Sequence, residues 1–295
     1  MDCATQKFKT MTFGIAGLGL MGGSFAKALK KNVFPQKIIG FDTNHDSIEK
    51  AKTEGIIDAG FASDRTDALS ECDFVFVCLY PAASIEFLKT HREKFKRGGI
   101  VTDISGVKAA LSRELSAIVN TGEAGDNRFD FISGHPMAGS EKEGYRHADA
   151  AIFAGRNYIL MPTAHNKAEN IALFKSLITA LGFARIIETD FSTHDHKIAF
   201  TSQLCHIIAA SLVDSAEDTK ITAFGGGSFE DLTRIAMINA PLWTELFLAN
   251  KDELIGHIES FEAALREIKQ LLTDEKKTHL AQKLESIRTK RISMV

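Results

Sequence analysis

The stretch Thr12-Phe-Gly-Ile-Ala-Gly17-Leu-Gly19-Leu-Met-Gly22 decides the fold of this 295-residue chain. The apolar run Thr12–Ala16 predicts a buried strand, and the residues after it predict a turn over 17–23 and a helix over 24–31. Its glycines match G-x-G-x-x-G between a strand and a helix, the context that gives this pattern physical meaning. Gly17 permits a tight turn, Gly19 lets the backbone approach a pyrophosphate, and Gly22 allows close packing of helix on strand. The sequence therefore predicts a dinucleotide site at this turn.

A carboxylate after the second strand predicts which dinucleotide binds. The run Lys37–Phe41 predicts that strand, and Asp42 follows it, 20 residues after Gly22. Asp42 can accept hydrogen bonds from ribose hydroxyls and repels a 2′-phosphate, and neither Thr43 nor Asn44 offers a cation for one. NAD is therefore predicted over NADP, and the alternative is a glycine turn without a ligand. The predicted cofactor-binding residues are Gly17, Leu18, Gly19, Leu20, Met21, Gly22 and Asp42.

Composition excludes several classes of function. The chain is 44% hydrophobic and 25% charged, its formal net charge is −3, and acidic and basic residues are mixed along it. No nucleic-acid or anionic-membrane surface is therefore predicted. The apolar stretches are too short for a membrane span, and the start lacks the apolar core of a signal peptide. The four cysteines have no metal-ligand spacing. We expect a cytoplasmic protein with a small-molecule substrate.

The chain divides into two parts that differ in the pattern of their apolar residues. Up to about residue 190, apolar runs alternate with amphipathic stretches, which indicates right-handed crossovers and a parallel sheet. Further strands are predicted at 73–79, 99–103, 130–133, 157–161 and 184–188. Beyond that point a helical period dominates, with segments near 194–217, 229–239, 241–270 and 274–290. We predict an α/β fold: a Rossmann-type, mainly parallel sheet in a dinucleotide-binding domain (1–190), then an all-helical substrate and dimerisation domain (191–295).

A long helix predicts self-association. The helix expected from Pro241 to Leu272 is longer than a small free-standing domain normally needs. Its apolar stripe is available to a partner chain, so a homodimer is expected. The stripe consists of Leu246, Leu254, Ile258, Phe261, Leu265 and Ile268.

Two polar segments follow predicted strands, at the edge where open α/β sheets bind ligands. The first is Asp103-Ile-Ser105-Gly-Val-Lys108, in which Ser105 supplies a hydroxyl and Lys108 either caps the site or is solvated. The second contains Gly134-His135-Pro136, where the proline disfavours helical geometry at the histidine. An imidazole that titrates near neutral pH suits removal of a proton from an alcohol, whereas a lone histidine is more often structural.

Five segments resemble, in order and spacing, the prephenate and arogenate dehydrogenase family: GLGLMGGS, DISGVK, GHPMAGSEKEG, THDHKIAFTSQLCHIIA and SFEDLTRIA…NAPLW. The likeness runs from about residue 12 to about residue 270. GHPMAGSE together with HDHK…QLCH is specific, whereas the glycine pattern is shared with many dehydrogenases. The resemblance implies NAD-dependent oxidative decarboxylation of prephenate to 4-hydroxyphenylpyruvate in tyrosine biosynthesis, with arogenate as the alternative substrate.

The resemblance also implies roles for individual residues. His135 is the expected catalytic base for the ring hydroxyl, with Ser105 beside it, and Arg234 is expected to grip a substrate carboxylate. Without the family, Arg234 is interpreted as an ion-pair partner of Asp231 or Glu230 on its own helix. The other residues expected to line the substrate pocket are Glu141, His206, Trp243 and Gly227.

For two of these residues, Trp243 and His206, the sequence itself offers a point against the match. Trp243 is equally well interpreted as a residue that packs helices together. Cys205 stands where family members commonly have proline just before the histidine that His206 matches, so a different bend of that helix is expected.

Other interpretations stay open at this point. A β-hydroxyacid dehydrogenase shares the glycine-rich start and a helical second domain, but its catalytic lysine follows glycines that are absent around Lys197. An NAD-sensing regulator leaves His135 and Arg234 without a shared purpose. A metal site at His194 and His196 is not expected, because an offset of two residues places them on different faces of a helix.

Overall fold

The computed structural model describes residues 3–62, 65–119 and 128–294, so the predicted outer limits of the two domains, residues 1 and 295, lie outside it. The strands are β1 (Thr12–Ala16), β2 (Lys37–Asp42), β3 (Ala59–Ala62), β4 (Phe74–Val77), β5 (Ile100–Asp103), β6 (Asp130–Phe131), β7 (Ser133–Pro136), β8 (Asn157–Met161) and β9 (Arg185–Glu188). Within those ranges, a six-stranded parallel sheet has the order β3-β2-β1-β4-β5-β6, and a three-stranded sheet the order β7-β8-β9.

Helices connect the strands and then form the whole of the C-terminal part. They are α1 (Cys3–Phe8), α2 (Leu20–Ala28), α3 (His45–Thr53), α4 (Pro81–Thr90), α5 (Ala109–Val119), α6 (Ala168–Ala180), α7 (Phe191–Ile198), α8 (Leu204–Asp214), α9 (Gly227–Thr233), α10 (Ala240–Ala249), α11 (Lys251–Thr273) and α12 (Lys277–Ser293). In the part of the chain that the structure describes, no helix is long and apolar enough to cross a membrane.

Strand β1 lies at the centre of the main sheet, paired in parallel with β2 on one side and β4 on the other. Aromatic rings fill the core beside it: the ring centroid of Phe25 lies 4.6 Å from that of Phe76 and 4.4 Å from that of Phe153. Full burial of each such side chain stabilises the fold by about 1.5–3 kcal/mol. The predicted α/β class is confirmed, and the strand order reverses between β1 and β4. A crevice for a ligand opens at such a reversal.

The turn after β1 is shorter than predicted. Helix α2 begins at Leu20, not at residue 24, so Gly22 and Gly23 lie inside the helix. A Cβ on Gly22 would lie 1.8 Å from the carbonyl oxygen of Gly17. The missing side chain therefore lets α2 start close against the turn. The predicted helix start at residue 24 was wrong, because close packing outweighs the low helix propensity of these glycines.

The strand predicted at 130–133 is two strands in different sheets. β6 pairs with β5, whereas β7 pairs with β8 in antiparallel register, so the chain leaves the main sheet at Ile132. Side-chain hydrogen bonds hold this exit in place: the Asn166 amide donates to the Asp130 carboxylate (2.6 Å) and to the Phe131 carbonyl (2.8 Å). The expectation that the later strands continue the parallel sheet is therefore wrong. β3 has no counterpart in the sequence prediction.

The helix predicted from Pro241 to Leu272 is two helices, α10 and α11, which meet at Asn250. The buried Asn250 amide donates to the Asp195 carbonyl (2.9 Å) and to the side-chain oxygen of Gln203 (2.8 Å). These tertiary bonds stabilise a backbone break that a helical period cannot reveal. Because of the break, Leu246 and Leu254 are buried within the chain, whereas Phe261 and Leu265 of the same predicted stripe are exposed.

Candidate active site

The glycine turn presents a ready backbone cradle at the end of β1. Gly17 has a φ of +90°, and a Cβ there would lie 2.6 Å from the Cys78 carbonyl oxygen, so a side chain is excluded by both strain and space. Around Gly19, which caps α2, a Cβ would meet no described atom within 4 Å. This open helix N-terminus suits phosphate groups.

Asp42 ties the turn to the second strand. One carboxylate oxygen accepts from the Leu18 N–H (2.5 Å) and the other from the Asn44 N–H (2.7 Å). The Leu18 side chain is fully buried, so this residue shapes the turn rather than offering a group to a ligand. Each carboxylate oxygen keeps a second lone pair for a ribose hydroxyl. The predicted cofactor residues thus fit a dinucleotide: Leu20 and Met21 start the helix whose N-terminus would face the phosphates, and Asp42 would face the ribose.

A chain of three side chains ends at His135. Nδ1 of His135 lies 2.9 Å from Nε2 of His194, and Nδ1 of His194 lies 2.7 Å from the Asp195 carboxylate. That carboxylate also accepts from the main-chain N–H groups of Lys108 (2.9 Å) and Ala109 (2.7 Å), at the start of α5. The Asp195–His194–His135 relay therefore joins three separate parts of the chain at one point.

The relay assigns the protons on both imidazoles. A carboxylate only accepts hydrogen bonds, so His194 carries its proton on Nδ1 and offers the lone pair of Nε2. His135 must then donate from Nδ1, which leaves Nε2 of His135 as a bare acceptor. This nitrogen faces the turn after β5, 3.7 Å from the position that a Cβ on Gly106 would take. The arrangement prepares His135 to accept a proton.

A buried ion pair supports the strand that carries His135. The Lys108 ammonium, fully buried, donates to the Asp103 carboxylate (2.6 Å) and to the Gly134 carbonyl (2.7 Å). The other oxygen of Asp103 accepts from the Ser133 hydroxyl (2.6 Å). Lys108 is therefore neither an active-site cap nor solvated, the two expectations from the sequence. It holds β5 and β7 together, and breaking such a pair typically costs about 3–5 kcal/mol.

The electrostatic environment keeps His135 neutral. Burial lowers the pKa of His135 well below its ordinary value of 6.5, and the neighbouring His194 and the Lys108 charge lower it further. Burial also lowers the pKa of His194, although the Asp195 hydrogen bond opposes that effect. At neutral pH the imidazole of His135 therefore carries no positive charge, as a proton acceptor requires.

Helix α10 closes the other side of the crevice. A Cβ on Gly106 would lie 3.7 Å from the Leu246 side chain of α10, the same distance as from Nε2 of His135. One turn earlier on α10, the Trp243 ring stacks on His206 with ring centroids 3.6 Å apart. This contact fits the interpretation of Trp243 as a residue that packs helices together. Ser105 is buried in the intervening turn, and its N–H donates to Asp103 (2.9 Å).

Arg234 lies at the open side of this wall. Its guanidinium is 3.7 Å from the Glu141 carboxylate and is largely exposed, so the two predicted pocket residues meet each other. The expected alternative partners, Asp231 and Glu230, form no ion pair with it in the described chain. Burial lowers the pKa of His206, and the Arg234 charge contributes to that shift. Gly227, the first residue of α9, has open space around its Cβ position.

The prediction from sequence missed His194 and Asp195 as functional residues. His194 was considered only as a metal ligand, and Asp195 was not considered. A signal was present, because the two residues fall in the first turn of a predicted helix within the family-like segment THDHKIAF. His194 contacts His135 across 59 residues of sequence, and no local pattern reports such a contact.

The fold and site define a Rossmann-type dehydrogenase with a helical second half. Residues 25–188 match the family model "Prephenate dehydrogenase, nucleotide-binding domain", and residues 190–286 match "Prephenate dehydrogenase, dimerization domain". The chain belongs to the prephenate dehydrogenase family, and it is an NAD-dependent dehydrogenase.

Individual relatives agree with this assignment. A prephenate dehydrogenase of Bacillus subtilis is 30% identical over 89% of this chain and 69% of its own length. A cyclohexadienyl dehydrogenase of Zymomonas mobilis is 27% identical over 95% of this chain and 94% of its own. A solved prephenate dehydrogenase of A. aeolicus, in complex with hydroxyphenyl propionate and NAD+, superposes with a TM-score of 0.85 at 32% identity. The superposition covers 97% of this chain and 99% of the A. aeolicus chain.

Proposed function

We propose that this enzyme converts prephenate to 4-hydroxyphenylpyruvate and carbon dioxide in tyrosine biosynthesis. The observation that carries the proposal is the relay, which leaves Nε2 of His135 unprotonated and facing the crevice. An acceptor prepared in this way suits an alcohol that loses its proton as its carbon is oxidised. When bound, NAD accepts the hydride from the hydroxyl-bearing ring carbon.

His135 supplies the base for this oxidation. Its Nε2 takes the proton of the ring 4-hydroxyl while the C–H bond at the same carbon breaks, and the hydroxyl becomes a carbonyl. The carbon–carbon bond to the ring carboxylate then breaks and carbon dioxide leaves. The electrons of that bond pass through the ring to the carbonyl oxygen, the ring becomes aromatic, and the oxygen takes the proton back from His135. Base assistance of this kind contributes about 10²–10⁴ in rate. His194 and Asp195 hold the imidazole in the tautomer that the step needs.

Arg234 supplies the cation for a dianionic substrate. In the structure its partner is Glu141, across 3.7 Å at an exposed position, where an ion pair is worth only about 0–1 kcal/mol. A substrate carboxylate that forms two parallel hydrogen bonds with the guanidinium can displace this weak partner. His206, Trp243 and Gly227 complete the substrate pocket in this proposal, and Ser105 offers its hydroxyl beside His135.

The two halves of the chain have different proposed roles. We assign residues 1–190 to cofactor binding and residues 191–295 to substrate binding and dimerisation. Exposed apolar side chains on the helices support a homodimer, because a second copy of the chain would cover them. They include Phe224, Leu232, Leu248, Ile255 and Leu265. The proposed location of the enzyme is the cytoplasm.

Turnover with two substrates tests the proposal. Purified enzyme with NAD is given prephenate or arogenate, and formation of the reduced cofactor is followed by its absorbance. We expect turnover of prephenate, with arogenate as the second candidate because a cyclohexadienyl dehydrogenase is among the relatives. No turnover of either compound would contradict the proposal.

A variant of the base separates catalysis from binding. His135→Asn should lower kcat by about 10²–10⁴ while NAD affinity stays unchanged, because the imidazole acts on the alcohol and not on the dinucleotide. His165→Asn, at an exposed histidine, is the matched control and should behave like the wild type. Undiminished turnover by His135→Asn would remove this residue from its proposed role.

A further inference from the structure

Two histidines and a glutamate meet on the surface where α7 packs beside α11. Nδ1 of His196 lies 2.6 Å from the carboxylate of Glu253, and the ring centroids of His196 and His257 are 4.8 Å apart. One ligand atom from each of the three residues falls within 4.8 Å of the other two. His196 and Glu253 are about half exposed, so the cluster is open to solvent.

The fold fixes the positions of all three residues. Glu253 and His257 are four residues apart on α11, so they lie one above the other on a single face. His196 reaches them from α7, and the buried Asn250 at the start of α11 bonds to the Asp195 carbonyl next to it. The cluster therefore joins two packed helices rather than one flexible segment. His194, two residues away, faces His135 instead, so the pair considered in the sequence does not converge.

We propose that His196, Glu253 and His257 form a binding site for a divalent transition-metal ion of the Zn²⁺ class. Imidazole nitrogen and carboxylate oxygen are ligands that Zn²⁺ prefers, and three protein ligands leave a coordination position for water. Tetrahedral ligands at about 2 Å from the ion stand about 3.3 Å apart. Small side-chain adjustments that bring the three ligand atoms, now within 4.8 Å of one another, to that spacing admit the ion.

The ion replaces the interactions that the free cluster makes. It takes the place of the hydrogen between Nδ1 of His196 and the Glu253 carboxylate, and the neutral imidazole of His196 then carries its hydrogen on Nε2. Nε2 of His257 lies 3.1 Å from the His196 carbonyl, which leaves Nδ1 of the same ring as a free ligand atom. The bound ion then joins α7, the helix that carries His194 and Asp195, to α11.

Zinc titration of the full-length, untagged enzyme tests the site. Isothermal titration calorimetry is expected to show one Zn²⁺ per chain, and Co²⁺ is expected to give visible absorption bands typical of low coordination number. Zinc at 100 times its Kd is expected to raise the Tm by about 5 °C, since a ligand bound only by the folded state stabilises it.

Variants assign the binding to this cluster. His257→Ala and Glu253→Gln are each expected to weaken zinc binding by more than about tenfold, because each removes a ligand. His279→Ala, which removes an exposed histidine from α12, should bind zinc like the wild type. Circular dichroism checks that each variant is folded. Absence of saturable binding, or binding unchanged in both cluster variants, would overturn the proposal.

Discussion

The glycine turn and the His135 relay, the two parts of the proposed active site, are built in different ways. At the turn, the Asp42 carboxylate accepts hydrogen bonds from residues that lie 2 and 24 positions away in sequence. All three residues belong to the first βαβ unit. The relay consists of one residue from β7, two from α7 and main-chain groups from the start of α5. The hydrogen bonds between these segments join residues 59 to 87 positions apart in sequence. Cofactor binding is therefore a local property of the chain, whereas the base depends on correct assembly of both halves.

Apart from replacement of His135 itself, the largest expected effect comes from breaking the relay at its far end. In Asp195→Asn, the side-chain oxygen can still accept from Lys108 and Ala109, but the amide presents N–H groups to His194. The proton of His194 then moves to Nε2, His135 must accept at Nδ1, and its own proton moves to the nitrogen that faces the substrate. We expect kcat to fall by about 10²–10³, within the range of lost base catalysis.

Steady-state kinetics with varied NAD checks this prediction. The KM for NAD is expected to stay unchanged, because no hydrogen bond in the described part of the chain joins the glycine turn to the relay. Asp252→Asn, an exposed residue on α11, is the matched control. A loss of NAD affinity equal to the loss of kcat would mean that Asp195 supports the fold rather than the tautomer.

The next effect concerns the substrate side of the crevice. Arg234→Ala removes a charged hydrogen-bond partner worth about 1.5–3 kcal/mol, so we expect the KM for prephenate to rise by about 10–100-fold. Arg266→Ala, at an exposed arginine on α11, serves as the control. An unchanged KM for prephenate would show that another cation binds the carboxylate.

A smaller effect is expected at the cofactor turn. Asp42→Ser removes the carboxylate that accepts from Leu18 and Asn44 and faces the ribose, so the KM for NAD is expected to rise by about tenfold, with little change in kcat. The same change lowers the repulsion of a 2′-phosphate, so activity with NADP should increase relative to NAD. Asp46→Ser is the control in α3. An unaltered preference between the two cofactors would argue against Asp42 as the selecting group.

The same difference explains how far the sequence could predict the structure. Strand β1, strand β2 and the glycine turn were predicted because apolar runs and glycines act over a few residues. The break at Asn250 and the departure of β7 from the main sheet were not predicted, since side-chain amides that contact distant segments stabilise both. His135 was predicted as the base from the family-like segment GHPMAGSE, since a lone histidine in this setting is more often structural. His194, Asp195 and the buried Lys108 acquire their roles only when the strands and helices are assembled.

A nitrogen-15 NMR titration of the His135 ring tests the central claim most directly. The relay predicts that at neutral pH Nδ1 carries the proton and Nε2 is bare, and that the ring gains its second proton only well below pH 6.5 because of burial and the Lys108 charge. A proton on Nε2 at neutral pH, or a pKa of His135 at or above 6.5, would contradict the account.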